Sequence, residues 1–240
     1  VRLFGLIGFP LSHSFSKGFF TEKFSRENIA GCAYENFPIP DISAFPALWE
    51  ENPALEGLNV TIPYKQAVMP YLDELTDAAK AIGAVNCIRR DGKRLIGHNT
   101  DVLGFGRSLQ PLLAPDHTDA LVLGTGGAAL AVKYALKQLH IRYSEISRSG
   151  PVTYEAITPE LMQSHKLIIN TTPLGMYPNT DAAPPLPYEH AGTEHLFYDL
   201  VYNPPETLFM KKGMERGAAA KNGYEMLILQ AEASWEIWNS

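Results

Sequence analysis

Three short polar strings hold most of the chemistry this chain can offer: Asn59-Val-Thr61-Ile-Pro-Tyr-Lys65, Gly83-Ala-Val-Asn86 and Gly97-His-Asn99-Thr-Asp101. They bring a lysine, an aspartate, amides and a threonine hydroxyl onto turn-rich backbone. Such a set suits a polyhydroxylated molecule. An ammonium can also stabilise negative charge building on a carbonyl oxygen and pass a proton to it. A neighbouring carboxylate would raise the ammonium pKa, whereas desolvation would lower it. Lys65 therefore stands either as proton donor or as charge stabiliser. Its place at a helix start, near the positive end of the dipole, favours function over an ordinary surface lysine.

A second constellation is Leu121-Val-Leu-Gly124-Thr-Gly126-Gly127-Ala128-Ala129, an apolar strand running into a glycine-rich turn. Gly124 permits the tight turn, and Gly126 lets backbone approach a pyrophosphate. The helix opening at Gly127 and Ala128 aims free N–H groups at the anion. The usual third glycine is replaced by Ala129-Leu130. Where NAD-preferring chains place an acid for the ribose hydroxyls, this one has Ser147-Arg148-Ser149, and Glu145 lies inside the strand. A guanidinium can grip a 2′-phosphate and stack on adenine, so the pattern favours NADP over NAD. The plain alternative is a solvated loop arginine.

The elements that must hold these residues follow from periodicity. Strands are expected over residues 3–8, 32–37 and 57–62, with helices over 17–27, 42–51 and 72–82. Pro63 suits the first turn of a helix. Residues 85–90 and 95–97 frame Asp91-Gly92, a hairpin signal. Beyond Asp101, helices over 102–113, 126–140, 161–163, 207–216 and 225–238 alternate with strands over 120–123, 144–147, 167–170, 196–200 and 218–220. Alternation of this kind calls for a parallel sheet covered on both faces. Trp235 and Trp238 are assigned to core or domain interface.

With 240 residues, 45% of them hydrophobic, the chain can bury one large core or two modest ones. A formal net charge of −6 without a basic run excludes nucleic acid as the expected partner. Cys32 and Cys87 are too few for a disulfide framework, and the scattered histidines lack metal-ligand spacing. Neither a signal peptide nor a membrane span is evident, so a cytoplasmic protein with no membrane partner and no metal is expected.

Taken in order, the motifs resemble the shikimate dehydrogenase family along nearly the whole chain. The likeness includes Ser12-His-Ser14-Phe-Ser16, the three strings above, the glycine-rich turn and Asn170-Thr-Thr-Pro-Leu-Gly-Met176. It continues through Asp199-Leu-Val-Tyr202-Asn-Pro and Gly223 ahead of Gln230-Ala-Glu-Ala. The resemblance implies reversible hydride transfer between NADPH and the ring ketone of 3-dehydroshikimate, within aromatic amino acid (chorismate) biosynthesis. By that analogy, Ser14 and Ser16 hold the substrate carboxylate. Asn59, Thr61, Asn86, Asp101 and Gln230 surround the ring hydroxyls, and Lys65 and Asp101 form the catalytic pair. Gly124, Gly126, Gly127, Ala128, Ser147, Arg148 and Ser149 hold the cofactor. Tyr202, counted with the substrate residues, and Gly223, counted with the cofactor residues, would lie near the nicotinamide.

Three positions depart from the family pattern. Lys17 stands where proline is usual, Ser147-Arg148-Ser149 replaces Asn-Arg-Thr, and Asn170-Thr-Thr-Pro173 replaces Asn-Ala-Thr-Ser. The fold implied is α/β. An N-terminal α/β substrate domain (1–101), completed by the C-terminal helix (224–240), encloses a Rossmann-like parallel-sheet cofactor domain (102–223), with the cleft between them. Monomer and homodimer are both compatible.

Local roles compete with these assignments. Ser14, Ser16 and Asp101 are good helix caps, Asn86 suits a turn, and Tyr202 suits packing. Gln230 is different, because an amide on an apolar helix side needs partners. Three other functions compete: a quinate/shikimate dehydrogenase using NAD or NADP, an enzyme of another ring acid, and a non-catalytic sensor of a shikimate-like ligand. Retention of both Lys65 and Asp101 argues against the sensor.

Overall fold

The computed structural model describes residues 1–11 and 14–240; Ser12 and His13, which open the serine loop, lie outside the described residues. The chain forms two compact units, residues 1–100 with 231–240, and residues 101–230. The sequence placed the return to the first unit at 224, and the observed division falls at 231, inside the last helix.

The first unit runs through β1 (Arg2–Gly8), α1 (Phe15–Arg26), β2 (Cys32–Pro38), α2 (Phe45–Glu51) and β3 (Leu55–Val60). It continues with α3 (Tyr64–Ala67), β4 (Glu74–Leu75), α4 (Asp77–Ile82), β5 (Cys87–Asp91) and β6 (Arg94–His98). They form one mixed sheet in the order β2-β1-β3-β5-β6-β4. β1 is parallel to both neighbours, and β3, β5 and β6 are successively antiparallel. Because β1 is covered on both faces, it reads as a continuous apolar run whose side chains alternate. Leu3 and Ile7 join a core with Phe45, Leu48, Leu55 and Leu58. Phe4 and Leu6 join the opposite core, with Phe20, Tyr34 and Trp238. Each large apolar side chain buried this way contributes about 1.5–3 kcal/mol. Trp238 stacks on Phe4 at 4.8 Å and donates its indole N–H to the Ile88 carbonyl at 3.0 Å. A Cβ at Gly57 would come within 2.3 Å of that indole. Trp238 is thus core, and it locks the C-terminal helix onto this sheet.

The helix expected over 72–82 is not continuous. Glu74 and Leu75 pair in parallel with Ile96 and Gly97, and only Asp77–Ile82 is helical. The Thr76 hydroxyl caps α4 by accepting from Ala79 N–H. Leu72 and Leu75 have the spacing of a helix face, yet both side chains close over Gly97. The Asp91-Gly92 signal does make a hairpin. Asp91 pairs with Arg94, and Gly92 supplies the positive φ of 61° in the two-residue turn.

The second unit holds α5 (Asp101–Leu109), β7 (Asp119–Leu123), α6 (Gly127–Gln138), β8 (Arg142–Ile146), α7 (Pro159–Ser164) and β9 (Leu167–Asn170). β10 (Leu196–Asp199), α8 (Leu208–Met214), β11 (Ala219–Lys221) and α9 (Tyr224–Trp238) complete it, α9 ending in the first unit. Its sheet is wholly parallel, in the order β11-β10-β9-β7-β8. β9 and β10 are buried along their whole length, as a sheet covered on both faces requires. The strand order reverses between β7 and β9. Crevices outside the carboxyl ends at such a point are where doubly wound sheets take ligands.

Candidate active site

In the first unit, backbone hydrogen bonds bring the three polar strings together. Val85 N–H donates to the Lys65 carbonyl at 2.7 Å, Val60 N–H to the Asn86 carbonyl at 2.9 Å, and Asn86 N–H to the His98 carbonyl at 3.1 Å. Asn99 donates its amide to the Ala84 carbonyl at 3.1 Å, tying the third string to the second. Thr61 follows β3, with its N–H on the Ile7 carbonyl. A Cβ at Gly8 would lie 2.5 Å from the Thr61 methyl, so glycine is needed where β1 ends. Lys65 is half-buried on α3, and Asp101 is the first residue of α5.

The side chains of these strings are more internally committed than the sequence suggested. Asn59, 5% exposed, accepts from the Tyr34 hydroxyl at 2.9 Å and donates to Ser234 Oγ at 2.8 Å and the Asn86 carbonyl at 3.3 Å. Asn86 Oδ1 accepts from Thr100 N–H at 2.6 Å and from Thr100 Oγ1 at 3.2 Å. Thr100 Oγ1 lies 3.4 Å from Ser234 Oγ. Burial raises the pKa of the Tyr34 phenol well above the usual tyrosine value. Asn59 and Asn86 are therefore joined to Tyr34, Ser234 and Thr100, three residues that sequence reasoning passed over. The available signal was a small polar residue inside an apolar stretch: Ser234 between Ala233 and Trp235, and Tyr34 on an alternating strand.

Ser14 occupies the N-cap position of α1, yet its side chain makes no cap hydrogen bond, and its hydroxyl oxygen is buried without a partner among the described residues. A buried hydroxyl left unpaired in the protein is suited to an incoming acceptor such as a carboxylate.

The second unit gathers the cofactor candidates at the carboxyl ends of its strands. Gly124, with φ of +109°, leaves β7 in a conformation that side chains rarely adopt, and a Cβ there would lie 2.7 Å from Thr171 Oγ1. Thr171, which follows β9, bonds the Leu123 carbonyl through its N–H at 3.0 Å and its hydroxyl at 2.6 Å. Gly126 and Gly127 differ: a Cβ at either would meet nothing within 4 Å. The twelve-residue helix α6 begins there with no side-chain cap and no acid in its first turn, and Ala128 is exposed on that turn. Open space beside glycines, together with uncapped N–H groups, fits an approaching pyrophosphate.

Past the end of β8, Arg148 and Ser149 are exposed and Ser147 is half-buried. Ser147 donates its N–H to the Val152 carbonyl at 3.1 Å. Glu145, the one acid nearby in sequence, is ion-paired with Lys133. The charge presented at this loop is therefore the Arg148 guanidinium, which fits a 2′-phosphate.

A cavity of about 380 Å³ lies past β9 and β10, its walls including Thr171, Thr172, Met176, Val201 and Tyr202. Tyr202 is 43% exposed. Gly223 donates its N–H to the Val201 carbonyl at 3.2 Å, and a Cβ on it would fall 2.1 Å from the Leu200 oxygen. Only glycine lets the two segments approach so closely. Gln230 lies on α9, half-buried, and donates to the Leu227 carbonyl at 2.9 Å. Beneath this region sits Asp199, fully buried, accepting from Asn170 Nδ2 and Val201 N–H, each at 3.0 Å, and from the Thr207 hydroxyl at 2.5 Å. Burial pushes its carboxyl up to about 6. Asn170 in turn accepts from Thr172 N–H and Oγ1, so Asp199 organises the loop beside Gly124. Among the described residues, no group of three or more His, Cys, Asp or Glu could hold a metal ion, and no helix is long and apolar enough to cross a membrane.

Residues 6–88 match the model of the shikimate dehydrogenase substrate binding domain. The shikimate dehydrogenase (NADP(+)) of Clostridium beijerinckii is 39% identical over 99% of this chain and 92% of its own length. The structure of shikimate 5-dehydrogenase from Thermus thermophilus in complex with NADP(H) and shikimate matches with a TM-score of 0.85 at 30% identity, covering 99% of this chain and 93% of that one. A ligand-free 5-ketofructose reductase of Gluconobacter matches with a TM-score of 0.86 at 27% identity, covering 99% and 92%.

Proposed function

The chain belongs to the shikimate dehydrogenase family, and we propose that it performs the family's reaction with Lys65 and Asp101 at the reacting oxygen. It is an NADP-dependent oxidoreductase that reversibly reduces 3-dehydroshikimate to shikimate, a step of chorismate and aromatic amino acid biosynthesis. The observation that carries this reading is identity to a shikimate dehydrogenase (NADP(+)) over nearly the full chain, with the polar strings and the Gly124 turn in place.

The nicotinamide cofactor, when bound, supplies or accepts the hydride. The remaining work falls to the chain. Hydride addition to the ketone leaves negative charge on oxygen; the Lys65 ammonium stabilises that charge, and the Asp101 carboxylate orients the ammonium. Ser14 and Ser16 meet the substrate carboxylate, and Asn59, Thr61, Asn86, Tyr202 and Gln230 meet the ring side. Gly126, Gly127 and Ala128 present helix N–H groups to the pyrophosphate, and Gly124 shapes the turn that leads to them. Ser147, Arg148 and Ser149 would take the 2′-phosphate, and Gly223 would lie near the nicotinamide. The substrate is a small molecule, and a cytoplasmic enzyme, monomeric or homodimeric, fits this role.

NADPH oxidation should be followed with 3-dehydroshikimate and, separately, with 5-ketofructose. Turnover with 3-dehydroshikimate alone is expected. Turnover with 5-ketofructose alone would move this chain to the other activity found on the fold.

A further inference from the structure

The first unit contains a connected set of buried polar groups centred on Asn59. Asn59 has its orientation fixed: its Nδ2 faces two acceptors, Ser234 Oγ and the Asn86 carbonyl, so its Oδ1 must face the Tyr34 hydroxyl. Tyr34 has one proton and gives it to Asn59. At the other end, Asn86 Oδ1 accepts from both Thr100 N–H and Thr100 Oγ1. Ser234 accepts from Asn59 at 2.8 Å. Ser234 Oγ and Thr100 Oγ1 lie 3.4 Å apart, and either hydroxyl can be the donor. Tyr34, Asn59, Ser234, Thr100 and Asn86 thus form one connected set.

Two donors on its Oδ1 fix the orientation of the Asn86 amide. We infer that Tyr34 and Ser234 are positioning residues for substrate binding, which fix the rotamers and amide orientations of Asn59 and Asn86. Both are buried, at 3% and 0% exposure, and neither belongs to the set assigned to the ligands. The inference rests on the proposed function, in which Ser16, Asn59 and Asn86 meet the substrate. The physical reason is pre-organisation: an amide free to rotate must be ordered again each time substrate binds.

The test is steady-state kinetics of Tyr34→Phe, Ser234→Ala and the double variant, varying shikimate and NADP⁺ separately. Tyr34→Phe leaves the ring stacked on Phe20 at 4.5 Å and deletes only the hydroxyl. Ser234→Ala removes one oxygen from α9, and keeps the test alive should the first variant fold poorly. Each single change is expected to raise KM for shikimate about fivefold, the ratio set by a hydrogen bond of about 1 kcal/mol. kcat and KM for NADP⁺ should change less than about twofold, since uniform binding alone is lost. Because both act through Asn59, the double variant should resemble the worse single rather than their product. Unchanged KM for shikimate in both folded variants, an equal rise in KM for NADP⁺, or a multiplicative double effect would overturn the inference. Wild-type enzyme measured alongside keeps the two readings apart. If it turns over shikimate while the variants are unaffected, the inference alone fails; if it does not turn over shikimate, the function fails and takes the inference with it.

Discussion

Replacing Asp199 by Asn should change how the stability of the protein depends on pH, and the size of the change follows from its surroundings. The carboxyl is 0% exposed and accepts three hydrogen bonds, none from a cation. Desolvation outweighs those bonds and raises its pKa from 3.8 to about 6. A rise of this size corresponds to about 3 kcal/mol acting against the ionised form in the fold. Between those two values the folded chain keeps a proton that the unfolded chain has lost, so unfolding free energy falls as pH rises. The effect is absent below the unfolded pKa and complete above about pH 6. Asn cannot titrate, and its amide can still accept from Val201 N–H and Asn170 while its NH₂ faces the Thr207 oxygen. Urea unfolding of both proteins should therefore be compared from about pH 4.5 to 7. The variant's stability relative to wild type is expected to grow by about 2 kcal/mol over that range. A difference that stays flat would refute the claim that Asp199 is a buried, uncompensated carboxylate.

Other outcomes follow from the sites. Lys65→Ala should lower kcat by more than about tenfold with an unchanged melting temperature, and near-normal turnover of the folded variant would remove Lys65 from the mechanism. Arg148→Ala should weaken NADP⁺ binding by about tenfold and NAD⁺ binding hardly at all, the low end for a charge-assisted contact because this arginine is exposed. Equal losses would defeat the 2′-phosphate assignment. Ser14→Ala should raise KM for shikimate about fivefold, because the buried Ser14 hydroxyl has no partner among the described residues and is open to the substrate carboxylate. An unchanged KM in the folded variant would refute that role.

Much of the architecture was legible because it is written in local signals. The β7 to α6 turn has its strand, glycines and helix in sequence order, and β9 is a continuous apolar run with the expected boundaries. Residues 72–82 misled because Leu72 and Leu75 mimic a helical face, while the paired segment 74–75 depends on the distant strand β6. Side-chain commitments were equally hidden. Nothing local shows that Asn59 is held by Tyr34 and Ser234, respectively 25 and 175 residues away. The capping role that seemed open to Ser14 is one its hydroxyl does not take up. Gly223 was read as a cofactor contact, and the approach of its backbone to Leu200 gives it a packing reason as well. Asp199 stood in a recognised string, yet its burial and its hold on Asn170 emerge only when β9 and β10 pair.

The most direct measurement is the initial rate of reduced-nicotinamide formation with shikimate and with quinate, each against NADP⁺ and NAD⁺. A dominant rate with shikimate and NADP⁺ is expected, as the Arg148 loop and the chain's family membership require. Faster turnover with quinate, or with NAD⁺, would contradict the assigned substrate or coenzyme, and absence of turnover in all four combinations would contradict the function itself.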